Sequence, residues 1–184
     1  MKGIGCVLDA MPEILKRHPG TLLVLAGDGP LMDDLKRHAV ERGIASQVRF
    51  IGRVTALLPG ILASLDVFIQ ASLNESFGLA AAEALCCGVP VVASNVGGLP
   101  EVVPDGVCGR LIPPGNVQAM IEAVSGLLAD PEQIRIFGDA GRAHVLERFD
   151  IGRTARQYLE TYTELQGMAP VSIGSHEKEA PSSA

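Results

Sequence analysis

The 184-residue sequence has no tryptophan, and aromatic residues make up only 4% of it. That scarcity excludes the stacking platforms that hold single-stranded DNA or RNA. Positive charge is scarce too: 15 Lys and Arg stand against 21 Asp and Glu, a formal net charge of -6. The lysines are Lys2, Lys16, Lys36 and Lys178 alone. A nucleic-acid partner held by phosphate neutralisation and a polybasic membrane patch are both excluded. Contact with a membrane is left to a partner. No apolar run approaches the roughly 18 residues of a membrane-spanning helix, and Met1-Lys2-Gly3-Ile4-Gly5-Cys6 makes no secretory signal. The expectation is a cytoplasmic protein. Cys6, Cys86, Cys87 and Cys108 form no C-x-x-C pair, so neither a zinc site nor a redox motif is written, and buried, reduced thiols are expected.

Several catalytic signatures are also missing. There is no G-x-x-x-x-G-K-[ST] loop and no H-E-x-x-H, and Ser76 lacks the G-x-S-x-G elbow of a hydrolase. His18, His38, His144 and His176 have no partner at ligand spacing and read as surface histidines. Gly27-Asp28-Gly29 begins like a dinucleotide fingerprint, but Met32 stands where its third glycine belongs, so a tight turn is the simpler reading.

What is present is a well-cored composition, 47% hydrophobic with 21 Gly and 12 Pro. It fits one globular domain over residues 1–166, followed by a disordered tail over 167–184 poor in apolar groups. Short apolar runs bounded by glycine alternate with helical patterns. Strands are predicted at 21–26, 48–51, 67–70, 89–93 and 109–112. Helices are predicted at 4–17, from Pro30 to Gly43, from about 57 to 65, 78–87 and 100–103. After residue 116 only helices follow, at 117–128, 133–145 and 151–165. This is the pattern of an α/β fold, a Rossmann-like doubly wound parallel sheet. Ligands bind such sheets beyond the carboxyl ends of the strands, at loops 27–30, 72–78 and 94–101 here. The chain enters its first helix without a preceding strand. The first strand of the sheet is therefore expected to be missing, leaving an exposed edge.

The most informative stretch is SLNESFGLAAAEA, Ser72 to Ala84. A helix opening near Gly78 aims unpaired N–H groups and a positive dipole end outward, a ready phosphate site. Glu75 lies on the loop before it, and Glu83 about 7 Å along the axis at about 1.5 Å per residue. One carboxylate suits a ribose diol and the other a hexose across a diphosphate. The same spacing also describes a capped helix with two solvated glutamates.

With Lys2-Gly3, LVLAGDGP, VRFIGRV and NVGGLPEVVPDGVCGRLIPPGN, this stretch resembles the E-x7-E signature of family-4-type retaining glycosyltransferases of the two-domain GT-B fold. The resemblance runs from Lys2 to about Tyr162 and is to the carboxyl-terminal, donor-binding half. It implies that Glu83 holds the ribose and that Glu75, as the catalytic-site carboxylate, meets the donor sugar. Backbone N–H groups of Phe77, Gly78 and Leu79 would then face the diphosphate, Lys2 would neutralise it, and Gly27 with Gly52-Arg53 would line the nucleotide pocket. It further implies a nucleotide-diphosphate sugar as donor, no cofactor and no metal. The family's second phosphate-binding basic residue and its acceptor domain lie ahead of the matched segment, so low activity of the isolated chain is expected. An acceptor-domain partner, or self-association through the exposed edge, would complete it. The alternatives are a non-catalytic nucleotide-binding subunit and a GT-B-type nucleotide-sugar epimerase.

Overall fold

In the computed structural model, which describes residues 3–55 and 58–166, apolar side chains at 7, 8, 11 and 14 set the first helix. They share one stripe of α1 (Ile4–Arg17), where Leu8, Met11 and Ile14 are at most 2% exposed. Burying each contributes roughly 1.5–3 kcal/mol. That carries the helix through Pro12, which costs on the order of 3 kcal/mol inside a helix. Lys2, Leu57, His176 and the segment 167–184 expected to be disordered lie outside the described residues.

The expected alternation follows: β1 (Leu23–Ala26), α2 (Met32–Glu41), β2 (Val48–Gly52), α3 (Leu58–Ala63), β3 (Phe68–Gln70), α4 (Leu79–Cys86), β4 (Val91–Ser94), α5 (Leu99–Val102) and β5 (Gly109–Ile112). Then come α6 (Val117–Leu128), α7 (Pro131–Arg148) and α8 (Ile151–Leu165). A 3-10 turn at Ala45–Gln47 is an addition, too short to show a period in the sequence. Residues up to Leu146 form one compact unit, and those from Glu147 a second. In the second unit Asp150 caps α8, its carboxylate accepting from the Arg153 N–H at 2.8 Å, and Tyr158 stacks on Tyr162.

Every strand pair is parallel, but the ladder is divided. β1 pairs with β2, and β3, β4 and β5 pair in that order. Among the described residues nothing pairs with the other edge of β1 or of β3. Burial records the difference. β4 is buried throughout, while β1 is only partly buried.

Helix α1 ties the two sheets together. Its amino-terminal Gly3 sits so close to the end of β3 that a Cβ there would lie 1.8 Å from the Ala71 carbonyl oxygen. From there α1 runs about 20 Å at about 1.5 Å per residue, and a short connection returns the chain along β1. The carboxyl ends of β1 and β3 therefore share one edge of the molecule.

Candidate functional site

That shared edge collects the loops. At the end of β3, the loop 72–78 lies against the 95–98 turn that follows β4, backbone to backbone. A Cβ on Gly97 would meet the Glu75 carbonyl oxygen at 1.6 Å, and one on Gly98 the Ser76 carbonyl oxygen at 2.7 Å. Only glycine permits this approach, and Gly97 also holds a φ of 54°. The loop closes on Gly78, which opens α4 with a left-handed φ of 102°. A Cβ there would run into the Leu99 side chain at 2.6 Å, so α5 seats the start of α4.

Helix α4 presents a bare amino terminus. Its first intrahelical bond runs from the Ala82 N–H to the Gly78 carbonyl. The N–H groups of Leu79, Ala80 and Ala81 precede that bond and have no helical acceptor. The N-cap Gly78 offers no side chain to cap them, and the first turn holds no acid. Ala81, Ala82, Ala84 and Leu85 turn inward and are buried. Leu79 and Ala80 are exposed, and Glu83, half-buried, continues the same stripe at spacings of four and three. Phe77 is exposed beside them.

Glu75 is half-buried on the loop. Its Oε2 accepts from Gln70 Nε2 at 2.8 Å and from Ser72 Oγ at 3.2 Å. Gln70 and Ser72 are absent from the expected site. The signal that points to them is a polar pair ending an otherwise apolar strand, at core positions 7% and 0% exposed.

The ends of β1 and β2 form the second cluster. The Gly27 N–H donates to the Gly52 carbonyl at 2.7 Å. Arg53 Nη2 reaches Asp28 Oδ1 at 3.4 Å, with both side chains largely exposed. Such a pair is worth at most about 1 kcal/mol, so Arg53 is held loosely. Glu75, Phe77, Gly78, Leu79 and Glu83 thus gather at one sheet's edge, and Gly27, Gly52 and Arg53 at the other's.

Two expectations need correction. Only Cys108 of the four thiols is buried; Cys6, Cys86 and Cys87 are half-buried. Burial pushes the Cys108 thiol up to about 11. His38 is no free surface residue either, because it is wedged between helices. Its Nε2 lies 2.8 Å from Asp9 Oδ1 on α1, and Arg42, just past the end of α2, reaches that same oxygen at 2.6 Å. Among the described residues no group of three His, Cys, Asp or Glu side chains is placed to hold a metal ion, and no helix is long and apolar enough to cross a membrane.

Comparison with known proteins gives this geometry a context. The family model described as "Glycosyl transferases group 1" matches residues 1–144. Over 156 residues the chain is 39% identical to the GDP-mannose-dependent alpha-(1-6)-phosphatidylinositol monomannoside mannosyltransferase of Mycolicibacterium smegmatis, covering 80% of this chain and 41% of that protein. Over 163 residues it is 34% identical to glycogen synthase of Mycobacterium tuberculosis, covering 88% of this chain and 39% of that one. It thus spans about two fifths of the length of these curated relatives. Sucrose-phosphate synthase from Thermosynechococcus elongatus superposes with a TM-score of 0.77 at 32% identity, over 90% of this chain and 43% of that one. HepE of Anabaena, solved in complex with UDP and glucose, gives 0.81 at 28% identity, over 89% and 45%.

Proposed function

This chain belongs to the glycosyl transferases group 1 family, and from that premise we propose that it binds the nucleotide-diphosphate sugar of a retaining glycosyl transfer. In this reading the diphosphate sits at the amino end of α4, facing the N–H groups of Phe77, Gly78 and Leu79. Lys2 supplies a countercharge. Glu83 accepts hydrogen bonds from the ribose hydroxyls, and Glu75 meets the donor sugar from the loop. Gly27, Gly52 and Arg53 line the nucleotide side.

One observation carries the proposal: the uncapped, acid-free start of α4 on the carboxyl edge, with Glu75 before it and Glu83 on its open stripe. A helix start of this kind favours anions. Fixed N–H dipoles aimed at a leaving diphosphate stabilise the charge that builds as the glycosidic bond breaks. This electrostatic role needs no metal ion. The mannosyltransferase relative is GDP-mannose-dependent by name and the HepE structure contains UDP, so both bases enter the test. Calorimetry with UDP, GDP and ADP and their sugars, with a chelator present, is expected to show binding of one base with a negative ΔCp. Silence from all three would remove the donor site.

A further inference from the structure

Gln70 is a glutamine at an inward position of a strand, 7% exposed, in register with Ala93 of the buried strand β4. Its Nε2 donates to Glu75 Oε2 at 2.8 Å, while its Oε1 is buried without a hydrogen-bond partner among the described residues. Turning the amide over would set an oxygen against the carboxylate, so Glu75 dictates which way it points. Ser72, fully buried, donates to the same Oε2 at 3.2 Å. A buried amide with one end unsatisfied breaks the usual rule for protein interiors, and such exceptions gather at functional sites.

We propose that Gln70, seconded by Ser72, is a positioning residue that fixes the Glu75 carboxylate toward the donor sugar. This rests on the reading of Glu75 as the sugar-contacting group. Two donors converging on one oxygen from the strand side orient the carboxylate before any ligand arrives. Orientation of that kind is what a reacting centre requires of its scaffold.

Gln70→Met keeps the length and bulk of the side chain but donates nothing. In a crystal structure of the full chain carrying it, the Glu75 carboxylate is expected to leave its place or split into several conformers. A carboxylate that stays where it is overturns the proposal, with or without ligand. The second arm titrates UDP-glucose against UDP and GDP-mannose against GDP. The affinity gained from the sugar is expected to fall about 3- to 10-fold, the equivalent of one hydrogen bond, while bare nucleotide binding holds. In Gln70→Met/Glu75→Gln the loss should not exceed that of Glu75→Gln alone; an additive loss sinks the idea. Ser72→Ala, a smaller change, gives the same directions should the methionine variant fold poorly. If Glu75→Gln itself leaves the sugar increment untouched, the sugar-contact reading fails, and the crystallographic arm still decides on Gln70.

Discussion

Glu75 and Glu83 carry the same charge in different settings, and that difference predicts different losses. Glu83 stands on the open stripe of α4, whereas Glu75 is held from the strand by Gln70 and Ser72. Glu83→Gln is expected to weaken binding of the bare nucleotide by roughly 10- to 150-fold, the range for losing a charged hydrogen bond. Glu75→Gln should act only on the part that depends on the sugar. Equal losses for the bare nucleotide, read by calorimetry, would contradict the division of labour. The placement of these two carboxylates, one on the loop and one on the helix after it, was legible because a spacing along the chain carries it. The role of Gln70 was not, because a polar residue ending an apolar strand marks the position but not its contact with Glu75, five positions further on, which only the fold supplies. Cys108 is a residue whose environment only the structure supplies. It is fully buried, and its thiol is pushed from 9.0 up to about 11 by burial. The unfolded thiol therefore ionises first, releasing a proton that the folded one keeps. Stability is fully present below pH 9.0 and declines as pH rises from there toward about 11. Urea unfolding across that window should show a shallower decline for Cys108→Ala, and an unchanged slope would refute the assignment.

At the scale of elements, helices and strands were readable where a hydrophobic period ran long enough, as in α1, α6 and α8. The ends of those three helices were readable as well, whereas those of α7 and β4 fell one to three residues away, and the packing of loop on loop was not readable at all. The sequence shows Gly97 and Gly98 as a turn, but only the fold shows that the turn is pressed against the backbone of Glu75 and Ser76. Gly97→Ala therefore faces two costs. A left-handed backbone with a Cβ costs roughly 1–2 kcal/mol, and forcing a methyl into packed backbone roughly 1–3 kcal/mol more. Gly88 is the matched control, since its φ of 77° is equally left-handed while a Cβ there meets nothing within 4 Å. Urea unfolding should thus place Gly97→Ala about 2–5 kcal/mol below the parent and Gly88→Ala only about 1–2 kcal/mol below it. Nucleotide-sugar affinity separates them further: it should survive in the Gly88 variant and be lost in the Gly97 variant, whose loop carries Glu75. Equal stability losses with affinity intact in both would mean that the turn does not set the loop.

For the whole molecule, the succession of strands along the chain was legible from the alternation of apolar runs and helices, but their division between two ladders was not. Pairing depends on which edges lie within hydrogen-bond reach, and no periodicity along the chain records that. The strands form two ladders, with one edge each of β1, β2 and β3 unpaired among the described residues. Backbone groups along such an edge face water or another strand, and they open at low free energy. Hydrogen exchange should reflect the division. Amides of Val91 to Ser94, in a strand bonded on both sides and buried throughout, should exchange slowest. Outward-facing amides of Leu23 to Ala26 and Phe68 to Gln70 should exchange faster than those turned toward β2 and β4. The same unpaired edges invite self-association, so the mass in solution should rise with protein concentration. Protection of these edges should rise with it, because an edge covered by a second copy is no longer open to water. Uniform protection across all five strands, in a chain that stays monomeric at every concentration, would show that the edges are closed in some other way.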